Sequence, residues 1–130
     1  MEAPVVKLGA LEVTLARPSA LAALALGRDA KTVEGSDGSL LLALGAAALA
    51  CCWPAGTAWP ARIPPRPWRA GQRMEDYGQA VFEALADAGV DIVEIIRAGG
   101  DAYGWAMASR LTQKRVDEAA SFSEAPAAGG

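Results

Sequence analysis

Residues Leu40 to Trp53 read Leu-Leu-Leu-Ala-Leu-Gly-Ala-Ala-Ala-Leu-Ala-Cys-Cys-Trp, with no charge anywhere in the run. A helix that is apolar around its whole circumference is stable only inside a core or a membrane. A membrane span takes about 20 apolar residues. This run has 14, with Glu34 and Asp37 ahead of it and prolines behind. It is therefore expected to be a helix over 39–53 at the centre of a domain, not in a bilayer. The rest of the chain has to wrap around it, and Leu41, Leu42, Leu44 and Leu49 are expected to carry the packing.

The segment that follows, 54–70, holds five of the eight prolines and two of the four tryptophans. Proline removes backbone donors and restricts the residue before it, so no regular helix is expected here. The sequence predicts a stiff linker that lays Trp59 and Trp68 back over the core. Pro64-Pro65-Arg66-Pro67-Trp68-Arg69 also fits the P-x-x-P-x-R pattern of peptides that dock as a polyproline helix in an aromatic groove, which would make the linker a binding motif instead.

Val5-Val6-Lys7-Leu8 and Leu11-Glu12-Val13-Thr14-Leu15 are short runs with β-branched residues, parted by Gly9-Ala10. Alternation puts Leu11, Val13 and Leu15 on one face and Glu12 and Thr14 on the other, the pattern of a hairpin over 5–15 with one wet face. Ser19 is placed to cap a helix of about 19–27 that Gly27 closes. A polar loop containing Gly35-Ser36-Asp37-Gly38 leads into the apolar helix, with Asp37 or Ser39 as its cap.

Beyond the linker, a helix over about 74–88 carries a stripe of Tyr77, Val81, Ala84, Leu85 and Ala88, with Glu83 and Asp87 on the other side and Gly89 as its stop. Phe82 lies off that stripe. Asp91 caps a helix over about 91–109 in which Ile92, Ile95, Ile96, Gly99, Tyr103 and Ala106 share a face. Gly99, Gly100 and Gly104 interrupt it, which predicts either a close approach between helices or a break at Gly99-Gly100. Thr112 opens a last short helix over 112–120, and 123–130 read as a flexible tail. The expected fold is mainly α. A small N-terminal β-hairpin precedes about five helices in a single domain over 1–122, and the Pro/Trp-rich linker separates the second helix from the third.

A net charge of −3 offers no clustered basic surface for phosphate, so no nucleic-acid partner is expected. Arg62, Arg66, Arg69 and Arg73 make the linker basic, while Glu75, Asp76, Glu83, Asp87, Asp91, Glu94 and Asp101 make the following helices acidic. Such uneven charge reads first as solvated faces. Cys51 and Cys52 are adjacent, with no Cys-x-x-Cys spacing and no histidine in the chain. A zinc site would lack ligands, and the thiols read as small buried hydrophobes of a reducing compartment. The missing histidine also excludes Ser-His and Cys-His pairs. Glu83 and Asp87 pair only formally, on a charged helix face, and Gly35 to Gly38 lack the lysine of a phosphate loop.

No catalytic residue, cofactor or metal is therefore expected, and the chain is not read as an enzyme. Met1-Glu2-Ala3-Pro4 lacks the basic region and apolar core of a signal peptide. What remains is binding. Trp59, Trp68, Phe82, Tyr103 and Trp105 are the interface candidates, residue types that dominate protein interfaces and small cores alike. Contiguous exposure separates the two roles.

From Val5 to Ala22, the succession of short strand, turn, strand and Arg17-Pro18-Ser19 into a helix resembles the start of small tail-assembly-chaperone-like proteins of tailed phages and prophages. The C-terminal half, from Asp76-Tyr77-Gly78-Gln79-Ala80-Val81-Phe82 through Asp91-Ile92 to Glu118-Ala119-Ala120-Ser121-Phe122-Ser123-Glu124, is similar in style to other short alanine-rich proteins of phage head and tail gene clusters. The resemblance implies a non-catalytic protein in the cytoplasm of the bacterial host. Its implied role is to bind another virion or tail protein during morphogenesis, such as a tape-measure, tail-tube or capsid subunit, with homo-oligomerisation left open. A minor virion component, either a head–tail connector or a small capsid-associated protein, is the alternative. A proline-rich peptide adaptor, resting on Pro64 to Arg69, is the third reading.

Overall fold

The structure, a computed structural model, describes residues 2–32 and 38–108. In chain order it contains β1 (Val5–Leu8), β2 (Leu11–Thr14), α1 (Ala20–Thr32), α2 (Gly38–Cys51), α3 (Met74–Asp87) and α4 (residues 92–108). The protein is thus mainly helical with an N-terminal antiparallel hairpin, and four helices stand among the described residues where about five were expected. The fifth, over 112–120, and the tail over 123–130 lie outside the described residues. So do the two candidate caps of α2, Asp37 and the side chain of Ser39.

β1 and β2 pair with Val6 opposite Val13 and Leu8 opposite Leu11. The two-residue turn between them starts at Gly9, whose φ of +62° is a conformation glycine adopts without steric cost. Val6, Leu8, Val13 and Leu15 point into the core. Ala16 then ties the hairpin to two helices. Its amide donates to the Cys52 carbonyl (2.8 Å) just beyond α2, and its carbonyl accepts from the Trp105 indole of α4 (3.0 Å).

Ser19 caps α1 as expected, its hydroxyl accepting from the Ala22 amide at 3.2 Å. The helix does not stop at Gly27, however, but continues to Thr32. Gly27 is buried within it. A helical glycine costs about 1 kcal/mol, and here the extra turn brings the buried Asp29 to the start of α3. Asp29 Oδ2 accepts from the Met74 amide at 2.8 Å. The residue at the N-cap of α3, Arg73, makes no side-chain cap of its own. An acid from a neighbouring helix fills that role, which suits the partial positive charge of a helix N-terminus.

α2 is the centre of the fold, buried without interruption from Ala43 to Leu49. Small residues let two helices approach it closely. A Cβ on Gly78 of α3 would lie 1.6 Å from the Ala43 carbonyl oxygen, and a Cβ on Gly99 of α4 would lie 2.9 Å from the Gly45 carbonyl carbon. The expectation for the leucines has to be corrected. Leu44 and Leu49 are core residues, but Leu41 and Leu42 are exposed. They sit in the first turn of α2, ahead of the Ala/Gly stretch that its neighbours grip.

α3 buries Met74, Tyr77, Gly78, Val81 and Leu85, while Ala84 and Ala88, expected on that stripe, are exposed. Its end is a Schellman motif about Gly89 (φ +89°), with Val90 N–H donating to Leu85 O at 3.1 Å and Gly89 N–H to Ala86 O at 3.0 Å. Asp91 caps α4, accepting from Val93 N–H at 2.8 Å and Glu94 N–H at 3.2 Å.

α4 runs unbroken through Gly99-Gly100, so close approach is the correct reading of Gly99. The face drawn from the sequence is nonetheless rotated. Ile95, Ala98, Ala102, Trp105 and Ala106 are buried, while Ile92 and Ile96 are exposed. The tight crossing with α2 selects the small residues of α4 and turns two of its isoleucines outward.

Residues 53–73 form no helix or strand. Trp53 and Trp59 meet edge to face at 4.8 Å between ring centroids. The Trp53 indole donates to the Thr57 carbonyl (3.2 Å). The Tyr77 hydroxyl donates to the Arg66 carbonyl at 2.7 Å, which pins the proline-rich segment to α3. Among the described residues no helix is long and apolar enough to cross a membrane.

Candidate functional site

The five aromatic candidates do not gather into one patch. Trp105 is buried, with its indole committed to Ala16 and the Arg17 guanidinium 5.9 Å from its ring centroid. Phe82 is half-buried against the core. Trp59 is half-buried beside Trp53, and its indole N–H is buried without a partner. Trp68 and Tyr103, both half-buried, line two separate grooves.

The first groove, about 410 Å³, lies between α1 and the end of the linker. One of its walls is the outer stripe of α1, where Leu21, Leu24, Arg28 and Lys31 follow one another at helical spacing. Leu21 and Leu24 are more than half exposed. The other wall is Trp68, held by its indole N–H donating to the Gln72 carbonyl at 2.9 Å. The groove is apolar at the Leu21 end and cationic toward Lys31, where Arg28 is braced by Asp29 at 3.0 Å. Such a surface suits an amphipathic segment carrying acids at one end.

The second groove, about 200 Å³, runs between the first turn of α2 and the outer face of α4. Leu41, Leu42, Ile96, Gly100 and Tyr103 line it. One turn before Ile96, Ile92 and Val93 continue its apolar character, and both are exposed.

The thiols are poor nucleophiles. Burial raises Cys51 to about 11, and burial together with the neighbouring Cys51 raises Cys52 to about 12. Both are free thiols, and Cys52 Sγ lies 4.0 Å from the Ala102 carbonyl oxygen inside the core. Thiolate is the reactive form, so neither group is primed for attack near neutral pH. Glu75 is a buried carboxylate in the first turn of α3. Arg73 pairs with its Oε1, and its Oε2 has no hydrogen-bond partner. No group of three or more His, Cys, Asp or Glu side chains among the described residues could hold a metal ion.

Sequence reasoning passed over Leu21, Leu24 and Val93, and it placed the exposed Leu41 and Leu42 in the core. In a chain this rich in alanine, leucine reads as core by default. The signal that finds these residues is competition: where a helix offers both an Ala/Gly face and a Leu/Ile face, close packing takes the small one. No family model, curated protein or solved structure matches the chain in comparisons with known proteins.

Proposed function

We propose that this protein is a non-catalytic assembly factor that binds a segment of another structural protein, in the manner of the tail-assembly-chaperone-like proteins of tailed phages and prophages. The observation that carries this reading is the α1 groove, in which Leu21, Leu24, Arg28 and Lys31 face Trp68. A tryptophan is a favoured anchor at protein interfaces, the exposed leucines beside it offer apolar surface to a docked segment, and the cationic end favours an acidic partner. The proposed partner is an acidic, amphipathic segment of a tape-measure, tail-tube or capsid subunit, met in the cytoplasm of the bacterial host.

Co-expression with the products of adjacent structural genes tests the proposal. One of them is expected to co-purify with the wild-type protein and to be lost with Leu24→Asp, an exposed position whose change leaves the fold intact. A protein that binds none of those products sinks the reading. Mass spectrometry of purified particles separates a chaperone, absent from the particle, from a minor virion component present at fixed copy number.

The peptide-adaptor reading has one observation in its favour, the exposure of Ile63, Pro64, Arg66 and Pro67. If it holds, Pro64→Ala with Pro67→Ala abolishes partner binding while Leu24→Asp does not.

A further inference from the structure

We propose that residues 116–124 of this chain seat in the α1 groove themselves, with Phe122 against Leu21, Leu24 and Trp68, and so close it to an outside partner until they are displaced. The inference rests on the reading of that groove as a docking surface and says what regulates it.

The position of α4 is the first observation. Near its end the Trp105 indole donates to the Ala16 carbonyl at 3.0 Å, and the Arg17 guanidinium stands 5.9 Å from the Trp105 ring centroid. α1 begins at Ala20, and Leu21, the first residue of the groove, follows at once. α4 is described through Ala108, three residues beyond Trp105. Residues 109–130 lie outside the described residues, and they leave α4 near the Leu21 end of the groove. Phe122 is fourteen residues beyond Ala108, up to about 48 Å of extended chain. The wall from Leu21 to Lys31 is about 15 Å long at 1.5 Å per residue. The segment is long enough to lie along all of it.

Charge and shape are the second observation. From Val116 to Gly130 the sequence holds Asp117, Glu118 and Glu124 and no lysine or arginine, with Phe122 as its one aromatic residue. Arg110, Lys114 and Arg115 come earlier, in the stretch that crosses from α4. The groove offers the counterparts. Leu21 and Leu24, more than half exposed, and Trp68 face the ring, and Arg28 and Lys31 face the carboxylates. Acids stand on both sides of Phe122, four residues before it and two after. Whichever way the segment runs along α1, one of them falls toward Arg28 and Lys31.

The neighbouring grooves do not fit an acidic segment. None of the residues lining the α2/α4 groove is charged, so carboxylates would lose water there and gain no partner. The hollow between β1 and α4 sets Glu94 and Asp101 beside Lys7 and Arg97, and the one at the Gly9 turn holds Asp91 and Glu94 without a cation.

A tethered segment acts at an effective concentration in the millimolar range, so weak contacts are enough to fill the groove. A groove filled nine-tenths of the time binds an outside partner about tenfold more weakly.

Disulfide trapping in the full chain tests the seating. Leu21→Cys with Phe122→Cys should bridge in glutathione buffer at an effective concentration at least about tenfold above that of Leu41→Cys with Phe122→Cys. Leu41 is also exposed and shares a groove with Tyr103 of α4, so a segment seated nowhere would reach both positions alike. Peptide mapping separates these bridges from any that involve Cys51 or Cys52. A synthetic peptide of residues 114–130 reads the same contact in trans. It should bind the full-chain Phe122→Asp variant, whose own segment is released, at least about tenfold more tightly than wild type, and adding Leu24→Asp should abolish that binding. Equal bridging from positions 21 and 41 overturns the proposal, as does a peptide that binds both proteins alike, binds neither, or ignores Leu24→Asp. These readouts need no outside partner and stand even where no structural subunit co-purifies. Where one does, Phe122→Asp should tighten its binding about tenfold, and an unaltered affinity overturns the regulatory role.

Discussion

Gly78 of α3 rests on the Ala43 carbonyl of α2, so close that a Cβ on Gly78 would lie 1.6 Å from that oxygen and 3.0 Å from the Ala47 methyl. The obstacle is helix backbone, which cannot swing aside as a side chain can. Gly78→Ala is therefore expected to push α3 off α2 and to cost about 3 kcal/mol or more, although alanine is the better helix former by about 1 kcal/mol. Urea unfolding followed by circular dichroism measures the difference. A variant as stable as wild type would show that the two helices do not cross at this distance.

Leu44 is 1% exposed and Leu41 is 55% exposed, three residues apart on one helix. An aspartate at 44 would be an unpaired charge in the core, and Leu44→Asp is expected to abolish cooperative unfolding at neutral pH. Leu41→Asp should change stability by no more than about 0.5 kcal/mol in the dilute protein. Thermal melts of the two variants side by side are the check. A folded Leu44→Asp protein would remove α2 from the centre of the fold.

The contrast between those two leucines marks how far the sequence could be read. Local signals were legible: Ser19, Gly89 and Asp91 cap or stop their helices as their chemistry demands, and the Gly9-Ala10 turn sets the hairpin register. The length of the apolar run placed α2 inside the protein. The direction of each buried face was not legible, because α2 is apolar all round and α4 has two apolar faces. Which face of α4 is covered depends on Gly99 meeting Gly45, a contact between residues 54 positions apart that no local pattern encodes. The α1 groove was missed for a related reason. A stop at Gly27, the local signal in the sequence, leaves Arg28, Asp29 and Lys31 outside a helix that in fact carries them.

Three weak acids, Cys52 and Tyr77 buried and Cys51 partly so, make stability depend on alkaline pH. Burial raises Cys51 from 9.0 to about 11 and Cys52 from 9.0 to about 12, and it raises Tyr77 from 10.0 to about 12. Each group keeps its proton to higher pH in the folded chain than in the unfolded one. Well below pH 9 all three are protonated in both states, so they give no slope. From pH 9 to 12 the unfolded chain binds fewer protons, and stability falls as pH rises. Urea midpoints should hold steady from about pH 7 to 8 and decline through pH 9 and above. In the same range the thiols should react with a disulfide reagent far more slowly in the native protein than in urea. Midpoints unchanged up to pH 11 would count against the burial of these groups.

Asp29 links α1 to α3 through a hydrogen bond from the Met74 amide to its Oδ2 at 2.8 Å. Met74 is itself fully buried, so that amide has no water to turn to if the acceptor is removed. Asp29→Ala is expected to cost about 1–3 kcal/mol, the range for losing a helix cap and leaving a buried donor unpaired. Asp29→Asn keeps an acceptor oxygen of the same reach and should recover part of that loss. It should not recover all of it, because the amide lacks the charge that favours a helix N-terminus. The loss should be local before it is global. Hydrogen exchange is expected to speed up first at Met74, Glu75 and Asp76 in Asp29→Ala, with the far end of α3 near Leu85 still protected. Unchanged exchange at those three amides would mean that α3 starts without help from α1. The α1 groove would then border a helix end that needs no brace, and the extension of α1 past Gly27 would need another cause.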